Sequence, residues 1–447
     1  MLLNFKFNNF RSFRDQTIFT MIPSSKKTHN DYIAREIKNE SVRALPVAVI
    51  YGANASGKSN IILAMYLLKK IVMLGSLDTR EIKPFLHILS FIHDDSYYKP
   101  TEFEITFSQG QSVYRYGLSV LSDLDNPSIT SEYLFVDNEH IFTRDNINGT
   151  QMPIHTLIKN GRIENSNDNF YKLALEKINK SLDAQQLFLF AGIRNLFGND
   201  LFLDIQDWFQ KFNVIMDASD MAFKQKDLRY IDRKKTIGSN ISDRKFYESD
   251  SIREIINFAE FGNQQIQFIS DAENDDLSMI SYYKIPSKNE KTSPIGMLIS
   301  SELMESKGTI QLIKLVQPFI DALKTGGTVV LDEMDASLHF EIVVSLIRIF
   351  NNHDINPKGA QLIFNTHNPI YLDGTLLRHD QIIMVEKNRQ NLVSELFALS
   401  DYCLRPEERI LKNYLNGKYG ALPHMDLEIA FKHILEKEVN ADGEASE

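Results

Sequence analysis

The segment Gly52-Ala53-Asn54-Ala55-Ser56-Gly57-Lys58-Ser59 constrains this chain more than any other. It fits the pattern G-x-x-x-x-G-K-[ST], and its neighbours supply the context that the pattern needs. Val47–Tyr51 (VAVIY) before it is a short, wholly apolar run, as expected of a buried parallel strand. Asn60–Leu74 after it sets Ile61, Ile62, Met65, Leu68 and Val72 near helical spacing. Glycines let such a loop turn its backbone N–H groups toward phosphate oxygens, and the helix N-terminus adds partial positive charge. Lys58 is placed to reach the β- and γ-phosphates, and the Ser59 hydroxyl to ligate Mg²⁺.

A second segment complements the first. Thr328-Val329-Val330-Leu331-Asp332-Glu333 reads as an apolar strand ending in two carboxylates, a Walker B arrangement. Asp332 would hold Mg²⁺ through its water shell, because Mg²⁺ prefers oxygen ligands and keeps several waters. Glu333 would polarise the attacking water. Acidic residues also end strands for ordinary reasons, so the pairing with the phosphate loop is what supports this assignment. Three weaker segments accompany it. Glu305-Ser306-Lys307-Gly308-Thr309 precedes an amphipathic helix over Thr309–Leu323, which Ser306 can cap and whose N-terminus can face an anion. Met334-Asp335-Ala336-Ser337-Leu338-His339 follows Glu333 directly. Asn365-Thr366-His367-Asn368 ends the next apolar strand.

With 447 residues the chain has room for two or three domains, or for one core with a large insertion. A net charge of −10 argues against a surface coated for nucleic acid, while leaving room for a local basic patch. The single cysteine, Cys403, excludes an intrachain disulfide and suits a reducing compartment. The first residues alternate as a strand does, unlike a signal peptide. No apolar run of about 18 residues occurs, so no membrane span is expected and the cytoplasm is the expected location.

Along the chain, Leu3, Phe5 and Phe7 and then Thr17–Ile22 read as paired strands. Phe103–Phe107 and Tyr114–Val120 follow as another pair, then Ser131–Val136 and His140–Arg144. Phe170–Leu189 and Asn199–Val214 read as helices. Lys224–Arg253 is dense in charges of both signs and reads either as a solvated loop or helical arm, or as an arm contacting phosphate or nucleic acid. Val329–Leu331, Leu362–Phe364 and Ile382–Val385 are buried-strand runs. Glu436–Glu447 is acidic and expected to be loose.

The order of these motifs (P-loop, S-x-G-T, D-E, D-x-S-L-H, T-H) resembles that of the ABC-type ATPases of the SMC/RecF/OLD class. Asn9-Phe10-Arg11-Ser12-Phe13 looks like the opening of RecF-like heads. Arg378-His379-Asp380-Gln381-Ile382 and the stretch from Tyr414 to Pro423 are similar to a bacterial subfamily of stand-alone, abortive-infection-like ATP-binding proteins. The resemblance covers about 1–120 and 290–425. It departs at Phe340, where proline is frequent, and leaves the Q-loop glutamine open among Gln109, Gln111 and Gln185. Arg348 and His353 fit an R-x₄-H ribonuclease pattern, but inside the expected ATPase core, where coincidence is the simpler reading. Room for a Toprim nuclease domain after Tyr419 is lacking.

The resemblance implies an α/β, ABC-type P-loop NTPase head assembled from residues 1–125 and 286–430, with a mostly helical insertion at 126–285 and a loose tail at 431–447. Gly52 through Ser59 would bind ATP, Ser59 and Asp332 would hold Mg²⁺, and Glu333 would be the base. His367 would contact the γ-phosphate. Ser306 and Gly308 would form a signature motif, and Asp335 the D-loop. In this class the signature serine acts on the ATP of a second subunit, which implies an ATP-closed homodimer or a higher even-numbered oligomer. The biological expectation is the sensor or regulatory ATPase of an anti-phage defence system, acting with a separately encoded effector such as a nuclease. The alternative is a RecF-like DNA repair or recombination ATPase with DNA as partner. A third is an ATP-bound scaffold with negligible turnover, against which Glu333 argues.

Overall fold

The computed structural model describes the chain except residues 25–33, 37–42, 124–125, 163–167, 197–199, 218–220, 222–227, 232–244, 259–264, 271–276, 286–294, 403, 405–407, 423–426, 430 and 436–447. Cys403, the acidic stretch 436–447 and much of the charge-rich stretch 224–253 therefore lie outside the described residues.

Among the described residues the strands form four sheets. The first is antiparallel and contains β1 (Leu2–Asn8) and β2 (Thr17–Thr20). A small pair, β3 (Arg35–Glu36) with β4 (Arg43–Ala44), leads into β5 (Val47–Gly52), the strand of the phosphate loop. The first sheet then continues through β6 (Thr101–Gln109), β7 (Ser112–Leu121), β8 (Ser128–Val136), β9 (Glu139–Asp145) and β10 (Gly149–Gln151). Its spatial order is β10-β9-β8-β7-β6-β1-β2.

The central sheet runs β11 (Phe212–Ile215), β17 (Thr328–Leu331), β18 (Gln361–Asn365), β5, β19 (Ile382–Lys387) and β20 (Ser394–Ala398). Every neighbouring pair is parallel except β19 with β20. Every residue of β5 is buried because both faces are covered. Successive side chains of a strand point to opposite faces. Accordingly Ala48 and Ile50 join one core with α1 (Lys58–Leu74) and the antiparallel sheet, whereas Val47, Val49 and Tyr51 join a second core. That second core holds α9 (Lys307–Thr325), α10 (Phe340–Asn351) and α11 (Ile410–Leu415). The other helices are α2 (Lys83–Leu86), α3 (Ile154–Lys159), α4 (Asp168–Ser181), α5 (Arg194–Leu196), α6 (Asp200–Lys211), α7 (Asp250–Phe258) and α8 (Ser301–Met304).

Gln361, fully buried at the start of β18, joins the antiparallel and central sheets. Its carbonyl oxygen accepts from the Leu2 N–H at 2.5 Å, and its amide donates to Leu2 O and Leu45 O, each at 3.0 Å. The Arg378-to-Ile382 motif is also architectural. The Arg378 guanidinium donates in a fork to Asp380 at 2.9 and 2.7 Å, with its side chain fully buried. Asp380 in turn accepts from the Ser24 N–H at 2.8 Å.

The region 126–285 departs from the expected mostly helical insertion. Beside α3 to α7 and a π-helix at Leu189–Ile193, it supplies β8, β9 and β10 to the antiparallel sheet and β11 to the central one. The expected helix Asn199–Val214 ends at Lys211, and the apolar run Phe212–Ile215 becomes a strand because it can pair with β17. A third sheet, wholly antiparallel, runs β12 (Arg229–Ile231), β13 (Lys245–Glu248), β14 (Gln265–Ser270), β15 (Leu277–Ile285) and β16 (Ile295–Ser300). Opposite charges pair there across the surface: Glu248 contacts Arg253 at 2.5 Å and Arg229 at 3.7 Å. Among the described residues no helix is long and apolar enough to cross a membrane.

Candidate nucleotide-binding site

The phosphate loop joins the buried end of β5 to the first residue of α1. Ala55 at φ 61° and Gly57 at φ 113° turn the backbone into a concave run of the kind that binds anions. A side chain at Gly57 would fall 2.8 Å from both Ser12 Oγ and Ser394 Oγ, so glycine is required for space as well as for φ. Those serines brace the loop. Ser394 Oγ donates to Ser56 O at 2.6 Å, and Ser12 Oγ accepts from the Asn60 amide at 2.8 Å. Arg11, in the same N-F-R-S-F opening, donates to Asn60 at 3.4 Å.

Lys58 is 5% exposed, and its ammonium donates to Gly52 O at 2.8 Å and Ala53 O at 2.9 Å. Burial lowers its pKa from the ordinary lysine value to about 8, opposed by the nearby carboxylates Glu333 and Asp332. Ser59 Oγ donates to Asp332 Oδ1 at 2.9 Å, across 273 residues of chain. Burial raises the Asp332 pKa, while the Asn365 and Ser59 hydrogen bonds oppose the shift. A hydroxyl and a carboxylate at this separation are hard oxygen donors of the type Mg²⁺ prefers, so the residues present fit that ion.

Asn365, at the end of β18, organises the pair and carries no role in the sequence reading beyond its place in the N-T-H-N run. It is fully buried. Its amide donates to Asp332 Oδ1 and, at 3.4 Å, to Ser59 Oγ, while its carbonyl oxygen accepts from the Glu333 N–H at 2.5 Å. Glu333 itself stands at φ 48°, an uncommon backbone for a residue with a side chain, and is exposed. The one sequence signal for Asn365 was a polar residue closing the strand beside the Asp332 strand.

Thr366 extends the contact to the next segment by donating to Asp335 Oδ2 at 2.6 Å. His367 follows at the exposed end of the strand. Partial desolvation, then the Lys58 ammonium, holds its pKa below the ordinary histidine value. Phe340 opens α10, and His339 caps that helix by accepting from the Glu341 N–H at 3.3 Å. Ser306 caps α9 as its sequence suggested, accepting from the Thr309 N–H at 3.1 Å, and it is exposed. Gly308 lies so close to Ser337 O that a Cβ there would collide with it, and Gln311 donates to Met334 O at 3.1 Å. The structure thus brings Gly52 to Ser59, Asp332, Glu333 and Asn365 into one cluster, with Asp335 and His367 beside it. Gly308 stands against the 334–337 segment, and Ser306 caps the same helix two residues before it. Of the glutamines considered for a Q-loop, Gln109 donates to Asp207 of α6 at 2.6 Å.

Along one side of the loop, Ala53 to Ser56, the β19–β20 turn from Glu386 to Leu392, and Ala421 with Leu422 line a cleft of about 830 Å³. The stretch from Tyr414 to Leu422 thereby acquires a structural reason. Tyr414 packs edge-on to Tyr51 of β5 at 5.9 Å, and Tyr419 is fully buried.

No curated protein matches the sequence. Among solved structures the SMC head domain from Thermotoga maritima is similar over 89% of this chain and 98% of that one, at 14% identity and a TM-score of 0.33. The family model described as "AAA domain, putative AbiEii toxin, Type IV TA system" matches residues 47–373, a span that opens on β5 and takes in the phosphate loop, Asp332, Glu333 and His367. That match covers most of the chain, and the chain belongs to this AAA-domain family of AbiEii-like ATPases.

Proposed function

We propose that this chain hydrolyses ATP with Mg²⁺ and does so between two copies of itself. The observation that carries the reading is the convergence of Ser59, Asp332 and Glu333 on the Asn365 side-chain amide, with the Lys58 ammonium close enough to both carboxylates to feel their charge. The ammonium of Lys58 exchanges its two loop carbonyls for phosphate oxygens. Ser59 and Asp332 hold Mg²⁺, which when bound neutralises charge on the phosphates. Glu333 orients a water and takes its proton as the oxygen attacks the γ-phosphorus and the bridging oxygen leaves with ADP. His367 faces the γ-phosphate. Ser306, exposed at the N-terminus of α9, offers its hydroxyl to the ATP of the other copy, which makes each site composite. We infer further that the chain acts in bacterial anti-phage defence, as the ATPase that regulates a separately encoded effector such as a nuclease; the family description, "putative AbiEii toxin, Type IV TA system", goes with a role in such a bacterial system.

The test is ATP turnover and ATP-dependent association of the purified chain, with Lys58→Ala beside it. Hydrolysis should fall on the order of 10²–10³-fold in the variant, the scale seen when one group that stabilises developing charge is removed. Equal turnover in both proteins would reject the site. A chain that hydrolyses ATP without ever associating would reject the composite arrangement. Tight DNA binding at physiological salt would replace the defence role with DNA repair.

A further inference from the structure

Glu305 immediately precedes Ser306, and its side chain reaches back into the third sheet. Its Oε1 accepts from Ser281 Oγ at 2.7 Å and from the Tyr283 hydroxyl at 3.2 Å. Ser281 and Tyr283 are two residues apart on β15 and so share one face of the strand. Ser281 is fully buried and also meets the fully buried Ser301 of α8, with 2.9 Å between the hydroxyl oxygens. Glu305 and Ser306 are the two extended residues between α8 and α9. Beyond them, Gly308 and Gln311 press the first turn of α9 against Ser337 and Met334. The segment that carries Ser306 is thus held on one side by the β12–β16 sheet and on the other by the loop that follows Glu333.

We propose that Glu305 is a positioning residue that couples the β12–β16 sheet to Ser306, so that this sheet is the input element that sets the rate of hydrolysis on the partner's ATP. The inference rests on the composite-site reading above. Its physical basis is directional. A carboxylate gripped by two hydroxyls on one strand follows that strand, and hydrogen bonds to charged groups are among the stronger ones. A single peptide bond joins the gripped residue to Ser306. A shift of β15, whether from a bound partner or from substitution, therefore moves the cap of α9 and the hydroxyl it carries. Ser281 and Tyr283 touch none of the groups that bind phosphate or metal in the same copy, so their effect appears in turnover and not in nucleotide affinity.

The experiment co-expresses differently tagged full-length copies, isolates mixed dimers and measures ATP turnover and the affinity of each copy for a fluorescent ATP analogue. Glu305→Ala, and separately the pair Ser281→Ala with Tyr283→Phe, should lower kcat roughly tenfold while affinity stays within about twofold, a loss on the scale of one hydrogen bond to a charged group. Glu305→Gln keeps an acceptor oxygen and should recover most of the rate. Mixed with Lys58→Ala, the Glu305→Ala copy should regain activity, because one of the two sites then carries neither lesion. A global folding defect would not be repaired this way. Ser306→Arg mixed with Lys58→Ala is the reference. If the reference pair regains activity and the Glu305→Ala pair does not, the Glu305 coupling is wrong and the composite site stands. If neither does, the composite site fails and takes the coupling with it. Wild-type kcat in Glu305→Ala would also overturn the proposal.

Discussion

The central sheet and the β12–β16 sheet are put together in opposite ways. In the central sheet the neighbours of β5 are β18 and β19, strands far along the chain, and the strand ends and the start of α1 carry polar groups that bond to one another across those distances. Ser59 and Asn365, 306 residues apart, are one such pair. In the β12–β16 sheet each strand pairs with its neighbour in sequence, and the charged residues pair locally. The first design fixes a few atoms in space at the meeting point of several strands, as chemistry requires. The second builds a surface whose details, apart from the Ser281 and Tyr283 grip on Glu305, are free to vary so long as the strands keep their registers. The same kind of substitution should therefore have very different consequences in the two places.

The largest effect is expected at Glu333. Glu333→Gln keeps the shape and removes the proposed base, so kcat should fall about 10²–10⁴-fold while ATP stays bound. Single-turnover and nucleotide-retention measurements separate the two, and unchanged kcat would mean that another group activates the water. Next comes Asn365→Ala. It strips the half-buried Asp332 carboxylate and the Glu333 N–H of their shared partner, at a cost of about 1–3 kcal/mol. Titration with Mg²⁺ should show a weaker requirement site in this variant, and an unaltered Mg²⁺ dependence would remove Asn365 from the organising role.

A pH effect follows from Lys58. Its pKa of about 8 means that the free protein loses the ammonium as pH rises through that value, whereas binding phosphate favours the charged form. ATP affinity should therefore be level below pH 8 and fall about tenfold per unit above it. Stability moves the other way. The folded pKa lies below the unfolded one, so this group costs stability below pH 8 and that cost is relieved between about 8 and the ordinary lysine value. An analogue titration from pH 7 to 9.5 checks the first sign. The smallest effect is expected in the β12–β16 sheet, where Tyr230 is 55% exposed. Tyr230→Ala should change stability by less than about 0.5 kcal/mol and leave ATP affinity alone. A large loss there would erase the contrast between the two sheets.

The same contrast explains what could be read from the amino-acid order. Val47–Tyr51, the glycine spacing of the phosphate loop and the Asp332-Glu333 pair were legible because phosphate and metal geometry prescribe residue types at set positions. The α1 and α9 helices were legible from their apolar spacing and a serine cap, within two residues at each end. The role of Asn365 was not, because an asparagine at a strand end is common and its three partners are distant in sequence. Phe212–Val214 reads as the end of a helix because Phe212 and Val214 extend the apolar pattern of α6, and only pairing with β17 decides otherwise. The strands β12 and β13 lie in a charge-rich stretch that suggests a solvated arm, and strand pairing sets Arg229 of that stretch opposite Glu248. The Arg378 motif was recognised by likeness alone, and its reason is a buried fork onto Asp380 that no local pattern announces.

The placement of β5 also bears on synthesis. A ribosome releases the phosphate loop long before β18 and β19, the strands that flank β5 on both sides. Until β18 and β19 emerge, VAVIY has two bare edges and two apolar faces, the kind of segment that invites pairing with another chain. Contacts between such distant parts form slowly, and intermediates that wait for them expose apolar surface. A nascent or prematurely terminated chain lacking residues 361–387 would carry the nucleotide loop without a nucleotide site, and its fate would be set by chaperones and proteases instead of by ATP.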